Sequence, residues 1–104
     1  MNREQIETML QEIGIEYRYY NFEEEELEPP YMYWYTPEVS NFAADGKVYF
    51  SVCELRIGLY TGQKNWEQEK KIEEVLEKYE IFWKKTETWI ESEALYEVLY
   101  EMEV

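Results

Sequence analysis

Apolar and polar residues alternate along this chain with two different periods, and the points where the period changes predict the elements. Ile6, Met9, Leu10 and Ile13 recur at the spacing of one helix face, so residues 2–13 read as an amphipathic helix. Asn2 is placed to cap it, Gln5 to complete a capping box, and Gly14 to close it, with Ile15 following to touch Leu10. Residues 15–22 change period: Ile15, Tyr17 and Tyr19 share one face of a strand. Residues 23–28 are a like-charge run and read as a solvated loop, stiffened by Pro29-Pro30. Tyr31 to Thr36 form a second strand, with Tyr31, Tyr33 and Tyr35 opposite Met32 and Trp34, ended by Pro37.

Residues 37–46 read as a longer connection closed by an Asp45-Gly46 hairpin turn. Lys47 to Thr61 is the longest strand, and its apolar parity changes midway. Val48, Phe50 and Val52 are even, whereas Leu55, Ile57 and Leu59 are odd. A β-bulge near Cys53-Glu54 accounts for the change, and so does a strand buried on both faces. Asn65 then caps a second helix from Trp66 to about Tyr79. Its buried stripe is Ile72, Val75, Leu76 and Tyr79, with Gln68 where another apolar residue would extend it. Glu69, Lys70, Lys71, Glu73, Glu74 and Glu77 decorate the outside, and Glu67 with Lys71 forms a pair one turn apart. Ile81 to Ile90 is a strand in which Ile81, Trp83 and Trp89 share parity, and Glu91-Ser92-Glu93 is a turn. In the last strand, Ala94 to Val104, Tyr96, Val98, Tyr100, Met102 and Val104 face one way and Glu97, Glu101 and Glu103 the other. The predicted order is α-β-β-β-α-β-β. It describes a single α+β domain over residues 1–104, a mostly antiparallel sheet of about five strands with two helices on one face.

Composition narrows what such a domain does. The 104 residues carry 24 acidic and 10 basic side chains, a net charge of −14, with no histidine and one cysteine. Without histidine there is no Ser-His-Asp or Cys-His machinery, and Cys53 has no partner for a disulfide or a Cys/His zinc site. Cys53 reads as a small buried hydrophobe. Asp45-Gly46 is too isolated for a calcium loop, and Gly58 to Gly62 lacks the Gly-Lys-Ser/Thr ending of a phosphate loop. Carboxylate pairs at glycosidase spacing are inevitable among so many acids and carry no signal without a pocket. The expectation is therefore no enzyme, no cofactor and no metal. The acidic balance opposes nucleic acid and anionic membranes and favours a partner with positive surface. No apolar run is long enough to span a bilayer and Met1 to Gln5 do not read as a signal peptide, so an intracellular, reducing setting is expected. The aromatics, 11 Tyr, 4 Trp and 4 Phe, exceed what so small a core needs, which places some at protein contacts.

The stretch Asn41-Phe42-Ala43-Ala44-Asp45-Gly46-Lys47-Val48-Tyr49-Phe50 resembles a family of small prophage proteins of Gram-positive bacteria, encoded among head–tail joining and tail genes. Leu59-Tyr60-Thr61, Ile72 to Leu76 and Trp89 to Tyr100 fit the same pattern, so the resemblance covers most of the chain from residue 30 onward. Where that pattern has an apolar residue early in the second helix, this chain has Gln68. The resemblance implies a tail-completion or tail-terminator protein of a long-tailed phage. It implies a virion protein of the tail or neck, assembled in the bacterial cytoplasm. It also implies a ring of about six subunits capping the tail tube, whose partners are itself and tail-tube or connector proteins. Interface candidates are Tyr31, Tyr33 and Tyr35, Phe42 and Asp45, and Trp89 and Tyr96. The alternative is an acidic DNA mimic that blocks a host nucleic-acid-binding enzyme. That role requires carboxylates spaced like phosphates, whereas lysines interrupt the acids of the second helix.

Overall fold

A computed structural model describes residues 1–20 and 27–104 of the chain, so most of the expected acidic loop lies outside the described residues. The elements are α1 (Arg3–Ile13), β1 (Tyr17–Tyr19), β2 (Tyr31–Tyr35), β3 (Val39–Ala44), β4 (Lys47–Thr61), α2 (Trp66–Lys78), β5 (Trp83–Ile90) and β6 (Leu95–Glu103). The fold is α+β, as the sequence predicts, but the sheet has six strands rather than five and the order is α-β-β-β-β-α-β-β. Strands run β1-β2-β4-β6-β5 across the sheet, with β3 also on β4. All pairings are antiparallel except β1 with β2. The first strand is shorter than expected, Tyr17–Tyr19.

The helices begin where their caps place them. Asn2 Oδ1 accepts from the Gln5 amide at 2.9 Å and Gln5 Oε1 accepts from the Asn2 amide at 2.8 Å, closing the capping box. Asn65 Oδ1 accepts from the Gln68 amide at 3.2 Å at the start of α2. Ile6, Met9, Leu10 and Ile13 of α1 and Ile72 and Leu76 of α2 pack into one core with Met32 and Trp34, Cys53 to Leu59 at odd positions, and Val98, Tyr100 and Met102. Both helices thus cover the same face of the sheet. Truncating such a side chain costs about 2–5 kcal/mol. Lys78 and Tyr79 at the end of α2 both reach Glu12 of α1, at 2.9 and 2.7 Å, and tie the helices together across the top of that core.

Three expectations are corrected. Residues 37–46 are not a plain connection. Val39–Ala44 is a strand paired with β4, and Asp45-Gly46 alone makes the turn. Both turn residues have positive φ, +53° and +75°, the conformation of a two-residue type I′ hairpin loop, which favours glycine at the second place. Second, β4 has no bulge at Cys53-Glu54. Its register with β6 runs unbroken from Glu54 opposite Glu103 to Thr61 opposite Tyr96, and Cys53 and Val104 exchange both backbone hydrogen bonds. The irregularities lie in the segment facing it and further out along the hairpin. Tyr35 faces Arg56 and Val39 faces Cys53, so residues 36–38 cross only residues 54–55. Pro37, which has no amide to donate, sits in that wide step. Further out, Phe42 faces Phe50 and Ala43 faces Val48, which leaves Tyr49 as the extra residue. Third, Glu69 is not on the outside of α2 but buried at its start, while the exposed pair on the helix is Lys70 with Glu74 at 3.7 Å rather than Glu67 with Lys71.

One position fixes how closely β2 and β4 approach on the face without helices. Gly58 lies opposite Tyr33, and a Cβ built there would sit 2.0 Å from the Tyr33 ring. The ring lies flat over the bare backbone and is itself held by Tyr20, Tyr35 and Tyr60, with centroids 5.3, 6.2 and 5.4 Å away. Gly58→Ala is expected to destabilise the chain by about 1–3 kcal/mol, the range for overpacking. In a Tyr33→Ala background the same change is expected to cost almost nothing. Chemical denaturation of the four proteins of the double-mutant cycle checks it, and equal costs in both backgrounds would count against the contact.

Candidate interaction surface

The alternation of β4 divides the sheet into two unlike faces. From Cys53 to Thr61 its odd residues point into the helix-covered core, and its even residues form the other face. Register sets that second face out in rows across β2, β4, β6 and β5. One row is Tyr31, Tyr60, Glu97 and Thr88. The next is Tyr33, Gly58, Leu99 and Thr86. The third is Tyr35, Arg56, Glu101 and Lys84. One end is therefore phenolic with a carboxylate, and the other is ionic. Arg56 reaches Glu54 and Glu101, each at 3.5 Å. Tyr31 packs on Tyr60 with centroids 5.2 Å apart, and Tyr20, from the residue after β1, lies 4.8 Å from Tyr35.

The phenols there keep their protons. Burial first, and then the negative charge of Glu97, pushes the Tyr33 hydroxyl far above the ordinary tyrosine range. Burial and a hydrogen bond to Glu97 do the same to Tyr60. For Tyr31 the causes are burial, then Glu93 and Glu97.

The seven interface candidates separate into three groups. Tyr31 and Tyr33 are 8% and 4% exposed, and their rings are used in packing within the chain, while Tyr35 is half-buried. Phe42 and Asp45 lie on the β3–β4 hairpin, where Val39 and Phe42 are 57% and 48% exposed. Trp89 and Tyr96 meet at 4.7 Å between centroids near the β5–β6 turn, with Trp89 47% exposed. The structure brings Tyr31, Tyr33 and Tyr35 together on β2, with the other two groups on the β3–β4 hairpin and at the β5–β6 turn. Trp66 and Phe82, 70% and 94% exposed, are further surface aromatics that periodicity does not single out.

The outer part of the hairpin departs from the rest of the molecule. Beyond Cys53, β4 pairs with β3, and none of the described side chains between residues 39 and 52 joins the core. The molecule measures 52 Å along its long axis against 30 and 21 Å across. At the root of this arm a cavity of about 590 Å³ opens between the start of α1 and the sheet, lined by Met1, Arg3, Ile6, Trp34, Val39 and Cys53 among others. Burial pushes the Cys53 thiol up, away from the thiolate form a nucleophile needs.

Glu69 is the charged group that sequence reasoning misses. A buried carboxylate is costly unless paired. Here Lys64 reaches Oε2 at 2.7 Å and Lys85 reaches Oε1 at 3.2 Å. Lys85 also bonds Glu73 at 3.0 Å, Tyr100 donates to Glu73 at 2.7 Å, and Lys64 pairs with Glu87. Burial would lower both lysines, but their carboxylate partners outweigh it and raise them. Burial and the bond to Glu73 raise Tyr100. The signal for this cluster lies in the spacing: Glu69 is three residues before Ile72 and seven before Leu76, in phase with the buried stripe.

These features define an α+β protein with a covered aliphatic face, a tyrosine-lined opposite face and a protruding two-stranded arm. No family model matches the chain, and no curated protein matches it.

The raised tyrosines and lysines give alkaline pH a definite sign. In each, the folded chain holds a proton that the unfolded chain releases near its ordinary pKa of about 10. The Cys53 thiol, also raised but from an ordinary value of about 8.5, follows the same sign, so stability is full below about pH 8 and falls as pH rises past the unfolded values toward the raised folded ones. A thermal melt series across pH 7 to 11 should be flat and then drop, with part of the tyrosinate absorbance appearing only on unfolding. Ionisation of all tyrosines in the folded state, with no loss of stability, would contradict it.

Proposed function

We propose that this chain is a structural subunit that works by protein–protein assembly, in the tail-completion region of a long-tailed phage, as its resemblance to small prophage tail proteins implies. The observation that carries the assembly reading is the β3–β4 arm. A two-stranded ribbon is at best marginally stable in water without a third strand or a helix to pack on. This one extends past the core with Val39 and Phe42 exposed, and packing against another subunit would cover them. A copy whose arm lies on its neighbour makes a head-to-tail contact, and such contacts close into rings when the rotation permits. The cavity at the arm's root, with Trp34 and Ile6 in its wall, offers an apolar seat for a neighbour's side chain. The ring, of about six copies, would cap the tail tube and meet connector proteins, within the virion.

The DNA-mimic reading draws less support. On the sheet Arg56 is shared by Glu54 and Glu101, on α2 Lys70 and Lys78 hold carboxylates, and Lys64 before α2 and Lys85 on β5 do the same. That is the pattern of an ion-paired surface, not of a bare row of charges.

Sedimentation velocity of the chain, alone and co-expressed with the products of its neighbouring genes, tests the reading. The expected result is a discrete ring-sized species that Phe42→Asp or Val39→Asp dissolves into folded monomers. A chain that stays monomeric in both settings, with the arm variants indistinguishable from the parent, would sink it.

A further inference from the structure

The phenolic end of the helix-free face holds a carboxylate without a counter-charge. Of the half-buried carboxylates in these rows, Glu54 and Glu101 share Arg56. Glu97 is also half-buried, and among the described residues no lysine or arginine pairs with it. The segment outside them, Asn21-Phe22-Glu23-Glu24-Glu25-Glu26, contains neither lysine nor arginine, so no cation of this chain is hidden there. Around Glu97 stand the half-buried Tyr60 and the buried Tyr31 and Tyr33, and the Tyr60 and Tyr33 hydroxyls bond to its carboxylate. Glu93 adds a second negative charge felt at Tyr31. On the β5 side, the neighbour of Glu97 is the exposed Thr88, a small residue that leaves the carboxylate open from that edge.

A carboxylate flanked by aromatic rings is chemistry for a cation. The ring faces attract positive charge, and the carboxylate accepts its N–H donors. A guanidinium suits it better than an ammonium, because it is planar, stacks on a ring and gives two parallel donors to one carboxylate. We propose that Glu97 and the partly exposed ring of Tyr60, backed by the buried Tyr31 and Tyr33, form a receptor for an arginine side chain of a partner protein, presented on a basic surface segment. The net charge of −14 draws such a segment in, and the rings and carboxylate decide where its arginine rests. The receptor requires no particular oligomer, so it stands or falls apart from the ring.

The probe is N-acetyl-tetraarginine amide, titrated into the full chain at physiological salt and followed by the NMR signals of tyrosine rings and glutamate carboxylates. The signals of Tyr60, Tyr33 and Glu97 should shift first and furthest. Glu97→Gln should weaken binding by about tenfold, the scale of one desolvated cation contact. Glu77→Gln, an equal loss of charge at an exposed position of α2, should change it by less than about twofold. Equal weakening by both variants, shifts spread evenly over α2 and the arm, or no binding at all would each overturn the proposal. The shift map of the parent chain decides the matter even if Glu97→Gln fails to fold.

Discussion

The structure depends on the two-sided alternation of one strand. β4 lies at the middle of the sheet, and from Cys53 to Thr61 it turns every second side chain to the helices and every other one away. Leu55, Ile57 and Leu59, all fully buried, give α1 and α2 a surface to cover. Their neighbours Arg56, Gly58 and Tyr60 build the second face. A one-residue slip of this strand would exchange the two sets and place an arginine under the helices. The unbroken register with β6 is what prevents it.

Both faces follow from that alternation, and they are stabilised differently. The helix side is mostly aliphatic and gains chiefly from apolar burial. The opposite side has no second layer among the described residues, yet Tyr33 is 4% exposed there. Tyrosine covers tyrosine instead, with Gly58 providing the depth, and the phenol hydroxyls meet a carboxylate rather than water. Glu69 repeats the theme on the helix side: a charge taken out of water and kept there by two lysines from different parts of the chain.

Much of this is legible in the residues. Helix caps are local, so Asn2, Gln5 and Asn65 announce them, and β6 alternates without interruption. Other features are not local. Val39-Ser40-Asn41-Phe42-Ala43-Ala44 shows no clean alternation and follows a proline, so it does not look like a strand. Its pairing comes from the tight Asp45-Gly46 turn, which forces whatever precedes it back along β4. The parity change in β4 is real in the sequence, but it coincides with the end of the core rather than with a bulge at Cys53. Beyond that point the strand has no helix to face. Glu69 looks exposed because glutamate usually is, and its partners Lys64 and Lys85 become neighbours only after β5 folds back beside α2. Gly58 inside a strand was the available sign that another group comes close, but the sign does not say which.

The central claim is that the arm relies on contacts beyond its own chain, while the core does not. Residue-resolved amide hydrogen exchange at high dilution measures this directly. Arm amides such as those of Phe42 and Ser51 should exchange orders of magnitude faster than those of Ile57 and Leu59, and gain protection once the chain assembles. Arm amides as protected as those of Ile57 in the dispersed chain would contradict it.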